Sequence, residues 1–245
     1  GDFELGEFLT QEGIGYLDHD AGAVAGQRIG ANRAAMLQVH QDLQTLAHDV
    51  MGFSAFDMRN EADVERLVFE CENEFGAPDI LVLNTGRPPV PMREVLDETE
   101  DARWQDAYET QLRGAVRVVG KVAPLLVSRG WGRIVGITSA SVKQPMVKHG
   151  LSTVFRAGLT GYLRHLANEI AASGVTVNTV CPASIGTEAL GRSYDFKVRA
   201  QQVPMRRIGR PEELGAMVAF LCSDLAGFTT GAAIQVDGGM VASLA

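Results

Sequence analysis

Short runs of apolar, β-favouring residues alternate along this chain with longer segments of helical periodicity. The apolar runs are "DILVLN" (79–84), "GRIVGITS" (132–139), "VTVNTVC" (175–181) and "AAIQVDGG" (232–239). Between them lie "EADVERLVFECENEF" (61–75), "WQDAYETQLRGAVRVVGKVAPLLVSRG" (104–130), "STVFRAGLTGYLRHLANEIAASG" (152–174) and "PEELGAMVAFLCSD" (211–224). Runs this apolar suit strands covered on both faces. Their alternation with helices predicts an α/β fold built on a doubly wound parallel sheet with right-handed crossovers. Gly76, Gly130 and Gly174 fall where helix C-caps are expected. Pro211, followed by Glu212 and Glu213, opens the last helix with acids at its positive dipole end. No repeat, low-complexity stretch or linker interrupts the pattern, so residues 1–245 read as one domain.

Ligands of such sheets bind outside the carboxyl ends of the strands. That directs attention to Asn84–Gly86, Thr138–Ser141 and Pro182–Thr187, which all follow predicted strands.

Composition narrows the reading further. A chain of 245 residues is long enough for one large α/β domain with a substantial core. The net charge of −8 argues against general nucleic-acid binding. No window approaches a transmembrane run, so no membrane partner is expected. The start "GDFELGEFLTQEG" lacks a basic region followed by an apolar run, which predicts a cytoplasmic protein. Cys71, Cys181 and Cys222 are few, odd in number and widely spaced, and read as reduced, buried thiols. The five histidines show no metal-ligand spacing, so no metal site is expected.

Several motifs then point the same way. "FDMRNEADVERLV", "LVLNTG", "GWGRIVGITSAS", "GVTVNTVCPASIGTEAL" and "PMRRIGRPEELGAMVAFLCSDLAGFTTGAAIQVDGGM" occur in order from Asp57 to Gly239, about three-quarters of the chain. In these motifs the chain resembles the short-chain dehydrogenase/reductase family, whose fold is Rossmann-like. The resemblance implies an oxidoreductase acting on a small carbonyl or alcohol with a nicotinamide cofactor. It places cofactor contacts at Asp57 and Met58, at Asn84 and Gly86, and at Pro182 and Thr187. It places the catalytic serine at Ser139. Ala183 stands where the family motif V-N-x-V-x-P-G-x-I-x-T has its glycine.

The first fifty-odd residues depart further. Such families begin with a strand and T-G-x-x-x-G-x-G, the glycines serving the tight turn and the approach to pyrophosphate. "EFLTQEGIG" keeps Gly13 and Gly15, and counting back lands on Leu9 at the first glycine. Asp18 and Asp20 lie near the end of the helix that should attract phosphate. There they would compete with an anion or simply stabilise the dipole. In "GANRAA" (30–35) no acid is present to accept from the 2′-hydroxyl of NAD. Arg33 points to the 2′-phosphate of NADP; NAD, or a plain solvated arginine, is the alternative.

By the same resemblance, the family's active site uses an Asn, a Ser, a Tyr as acid/base, and a Lys four residues after the Tyr. Here the four positions hold Gln111, Ser139, Ser152 and Arg156. Positions 152 and 156 are i and i+4 on one helix face, so the arrangement can persist. Arg keeps the charge and can reach a ribose with a fixed fork of donors. Ser for Tyr is the large change, because an alkyl hydroxyl is a far weaker acid than a phenol of pKa about 10. Tyr162 lies ten residues on, roughly 280° around the helix, and points elsewhere. His149 precedes the helix, three residues before Ser152, and imidazole suits proton transfer near neutral pH. A surface position is the plain alternative for it and for its neighbour Lys148. Tyr194, in the expected substrate loop 185–203, is a further candidate.

Three readings follow. One is an NADP(H)-linked oxidoreductase with a modified acid/base group. A second is a cofactor-independent enzyme using the same cleft, as the related halohydrin dehalogenases do with Ser, Tyr and Arg. The third is a non-catalytic relative. The resemblance also implies a homodimer or homotetramer formed through the helices at 104–130 and 152–172 and the last strand.

Overall fold

Strand alternation decides how the layers assemble. The computed structural model describes residues 56–187 and 195–243, together with the backbone of 15–18. Its strands are β1 (Gly15–Asp18), β2 (Ile80–Asn84), β3 (Gly132–Ile137), β4 (Val175–Pro182) and β5 (Ala233–Val236). They pair in chain order, all parallel. The helices are α1 (Glu61–Phe75), α2 (Asp101–Tyr108), α3 (Gly114–Arg129), α4 (Gly150–Ile170), α5 (Phe196–Gln201) and α6 (Pro211–Cys222). The α/β, Rossmann-like architecture is therefore the observed one.

Successive strand residues point to opposite faces. Leu81 and Leu83 of β2, with Ile134 of β3 and Val175 and Val177 of β4, meet Val64 of α1, Val118 of α3 and Leu159 of α4 on one face. Ile80, Val82, Val135 and Val180 meet Leu221 and Cys222 of α6 on the other. Both faces are dry, as the unbroken apolar runs require.

The crossovers β2–α3–β3 and β3–α4–β4 lie on the first face, and β4–α6–β5 lies on the second. All three step the same way across the sheet. The last crossover therefore has the opposite hand to the two before it, a departure from the uniform right-handedness predicted. The 28 residues from 183 to 210, between β4 and α6, give the chain the length for that step.

Two other predictions are corrected. The helix predicted over 104–130 starts at Asp101 and is broken by a π-helical turn at Glu109–Arg113. Gly15 opens β1, pairing with Leu81, and Asp18 pairs with Asn84. Gly15 thus lies at the amino end of a strand and not in a phosphate loop, and Asp18 is not in a helical turn. Tyr16 and Leu17, both strand formers, draw the segment into the sheet. Gly13, Asp20, Arg33 and Tyr194 lie outside the described residues.

The glycine caps are where the pattern placed them. Gly130 and Gly174 adopt left-handed conformations, with φ of 72° and 77°. A Cβ on Gly174 would also run into the carbonyl oxygen of Gly130. Gly174→Ala is expected to lower stability by about 1–3 kcal/mol, read from the midpoint of urea unfolding.

Candidate active site

The carboxyl ends of β2, β3 and β4 converge on one crevice, and α4 crosses beside it. Ser139 leaves β3 in extended geometry and caps the short 3-10 turn Ala140–Val142, accepting from the Ser141 N–H at 3.1 Å. It is half-buried, with a hydroxyl proton still available to a ligand.

Arg156 of α4 is buried beside it. Its Nη1 donates to the carbonyls of Ile137 (3.1 Å) and Thr138 (2.6 Å), and its Nη2 to the carbonyl of Gly86 (3.2 Å). Burial pulls this guanidinium down to about 10, so it stays charged at neutral pH. The fork ties the loop after β2 to the end of β3. Three of its five donors are thus spent on backbone, which makes Arg156 a positioning group for the strand ends: a buried cation needs acceptors, and the strand-end carbonyls supply them.

Ser152 is also buried, one helical turn before Arg156. Gln111 lies in the π-helical turn and is fully buried, with neither amide atom hydrogen-bonded. The turn packs against α4, where Trp104 and Tyr108 of α2 set their rings against Phe155. Of the four expected residues, Arg156 reaches the end of β3 beside Ser139, Ser152 lies one turn before it on α4, and Gln111 sits in the turn that packs on α4. Tyr162 packs on the first core cluster, as the helical spacing predicted.

His149 occupies the N-cap position of α4. Its Nδ1 lies 2.7 Å from the Val147 carbonyl. Desolvation, with Arg199 and Arg156 opposing a further positive charge, pushes its pKa below the ordinary value.

The expected cofactor contacts fare unevenly. Asn84, Gly86 and Pro182 stand at strand ends, and Thr187 is exposed beyond β4. The Asp57 carboxylate accepts from the backbone N–H of Arg59 and from its guanidinium (2.7 Å at the shortest). The Met58 side chain is buried in the first core cluster, where a Cβ on Gly114 would meet it.

Three features were not legible beforehand. Thr85 is buried with its hydroxyl unpartnered, beside Asn84 and Gly86. Glu98 and Arg103 form an ion pair with oxygens at 2.7 and 2.8 Å, and Arg103 also donates to the Pro91 carbonyl at 2.8 Å. This pair holds the Glu98 carboxyl below the usual carboxylate range and fixes the 87–98 wall of the cleft. Arg199 of α5 reaches Ser184 at 2.9 Å. The five-residue spacing of Glu98 and Arg103 was the one signal available. A cavity of about 380 Å³, lined by Ser184, Val203, Met205, Arg207 and Asp237 among others, includes none of Gln111, Ser139, Ser152 and Arg156.

Among the described residues no cluster of metal-ligating side chains occurs, and no helix is long and apolar enough to cross a membrane. Cys181 and Cys222 are buried thiols, and Cys71 is half-buried.

A parallel sheet with a serine at the end of one strand and a cation held beside it defines a nucleotide-type α/β crevice. The chain belongs to the short-chain dehydrogenase/reductase family of oxidoreductases: the family model described as enoyl-(acyl carrier protein) reductase matches residues 10–241. Nodulation protein G of Azospirillum brasilense is 31% identical over 198 residues, covering 78% of this chain and 79% of the relative. An acetoacetyl-CoA reductase of Cupriavidus necator is 34% identical over 174 residues, covering 70% of this chain and 69% of the relative. The solved structure of L-sorbose reductase from Gluconobacter frateurii, complexed with NADPH and L-sorbose, is similar with a TM-score of 0.79 and 27% identity. That match covers 86% of this chain and 84% of the other.

Replacing Arg156 tests the clamp directly. Arg156→Met leaves three buried carbonyls unanswered and is expected to cost about 2–4 kcal/mol of stability. Arg156→Lys, a point charge without the fork, is expected to recover only part of that loss in denaturant titration.

Proposed function

We propose that this chain interconverts a small carbonyl compound and its alcohol with NADP(H), using an altered acid/base group. The observation that carries the reading is the half-buried Ser139 hydroxyl at the end of β3, held one residue from the carbonyl that Arg156 grips.

The residues present fit the nicotinamide half of such a cofactor. The unpartnered Thr85 hydroxyl lies at the end of β2, where a ligand can satisfy it. Asn84, Gly86, Pro182 and Thr187 would hold that half, and Asp57 and Met58 would flank the adenine, the latter through its backbone. When bound, the reduced nicotinamide supplies a hydride. Ser139 donates its hydroxyl proton to the substrate oxygen in a hydrogen bond and polarises the carbonyl. The charge of Arg156 stabilises negative charge developing nearby, acting through the strand end it fixes. The Glu98–Arg103 pair keeps the facing wall in place, so the substrate meets a formed pocket.

NADP is favoured over NAD by Arg33 and by the absence of an acid in "GANRAA". Two relatives support a reductase reading: one is named an acetoacetyl-CoA reductase, and the other is complexed with NADPH. By family likeness, we also expect a cytoplasmic homodimer or homotetramer.

Equilibrium titration with NADPH and NADH tests the proposal. NADPH is expected to bind more tightly, and replacing Arg33 is expected to weaken NADPH more than NADH. Failure of both nucleotides at millimolar concentration overturns it. Ser139→Ala is expected to lower kcat/KM by about 10²-fold or more, measured by NADPH oxidation with a panel of ketones and 3-oxoacyl thioesters.

A further inference from the structure

The crevice has a polarising hydroxyl and a buried cation, but neither exchanges a proton near neutrality. Ser152 stands where the proton donor should be, and it is a buried alkyl alcohol. Arg156 stays charged and is committed to three carbonyls. We propose that His149 takes the proton-transfer role, with Nε2 as the reacting atom. This inference rests on the oxidoreductase reading above.

Four observations place the imidazole there. It sits at the start of α4, one turn before Ser152 on the same helix. Its Nδ1 is engaged with the Val147 carbonyl at 2.7 Å, which makes Nδ1 the donor in the neutral ring and leaves Nε2 to gain and lose the proton. The turn that closes this contact holds Lys148 at φ 60°, a left-handed conformation that a non-glycine residue adopts at a cost. Val95 of the cleft wall packs over Gly150, where a Cβ would come within 2.5 Å of the Val95 methyl, so the helix start is seated against the 87–98 wall.

Two cations act on the ring from separate elements, Arg156 from α4 and Arg199 from α5. Arg199 is anchored to Ser184 after β4. The imidazole thus feels positive charge from both α4 and α5. Lys148 is its neighbour in the chain, and among the described residues no carboxylate offsets the two arginines.

With the hydride supplied by NADPH, as in the oxidoreductase reading, the step balances. In the reduction, the carbonyl carbon gains the hydride and its π pair moves to oxygen. That oxygen forms an O–H bond as the Nε2–H bond of the imidazolium breaks, leaving neutral imidazole, which solvent re-protonates. In the oxidation, neutral Nε2 accepts the hydroxyl proton.

The sign of the pH dependence follows. Burial and the two arginines hold the imidazole below its ordinary value of 6.5. Reduction needs imidazolium, so kcat/KM for reduction falls as pH rises through that lowered value. Oxidation needs neutral imidazole, so its rate rises through the same value and is level above it.

The test uses His149→Gln, which keeps a polar side chain of similar size but does not titrate. It is expected to lower turnover about 10²-fold or more and to flatten the pH profile on the acid side of neutrality. NADPH affinity should change by no more than about twofold, since the imidazole serves the reacting oxygen and not the nucleotide. His149→Ala is expected to regain turnover with added imidazole, which a purely structural role would not permit. Turnover by the unaltered chain with the same pH profile in His149→Gln overturns this inference and leaves the oxidoreductase reading standing. Absence of nucleotide binding and of turnover in the unaltered chain overturns both.

Discussion

A buried guanidinium sets the terms for the rest of this site. Arg156 loses its hydration on α4 and must replace it with fixed acceptors. It finds them in the last carbonyls of β3 and in Gly86 after β2. Three segments distant in sequence are thereby held to one another at the rim of the sheet. Ser139 inherits its position from this arrangement, being the residue after one gripped carbonyl. A lysine would bring a single compact charge to the same place. The fork brings direction as well, because its planar donors reach two strands at once.

Around that clamp, the cleft is built from walls that hold themselves. The Glu98–Arg103 pair closes on its own loop and adds a bond to the Pro91 carbonyl. Phe155 receives two rings from α2, which seats α4 laterally. The π-helical turn points Gln111 inward, where its amide meets no partner. An unanswered amide in a dry interior is a standing cost of about 1–3 kcal/mol, and such costs persist where ligands or waters complete the site.

Much of the sheet was readable in advance, since each strand carries apolar residues on both sides. Ile80 to Asn84 and Val175 to Pro182 lie within a residue of their predicted bounds. The left-handed caps at Gly130 and Gly174 were equally plain. The placing of Arg156 beside the end of β3 followed from family spacing. What each side chain touches did not. A sequence shows that Arg156 is charged, but not that three backbone oxygens wait for it. It shows Gly13 and Gly15 as a pair, but strand pairing drew the second of them into β1. The π-helical turn was hidden because one extra residue in a turn leaves no trace in helical periodicity.

The last crossover changes hand because α6 packs on the face of the sheet opposite α3 and α4. That placement gives the sheet a packed cover on each face. The sheet and its helices must keep their fit, residue against residue, or the core opens. Helix α5, tied to the end of β4 by Arg199 and Ser184, buries no residue in that core. A change of side chain on α5 therefore disturbs little of the packing, so that helix can be reworded while the sheet beside it keeps its fit.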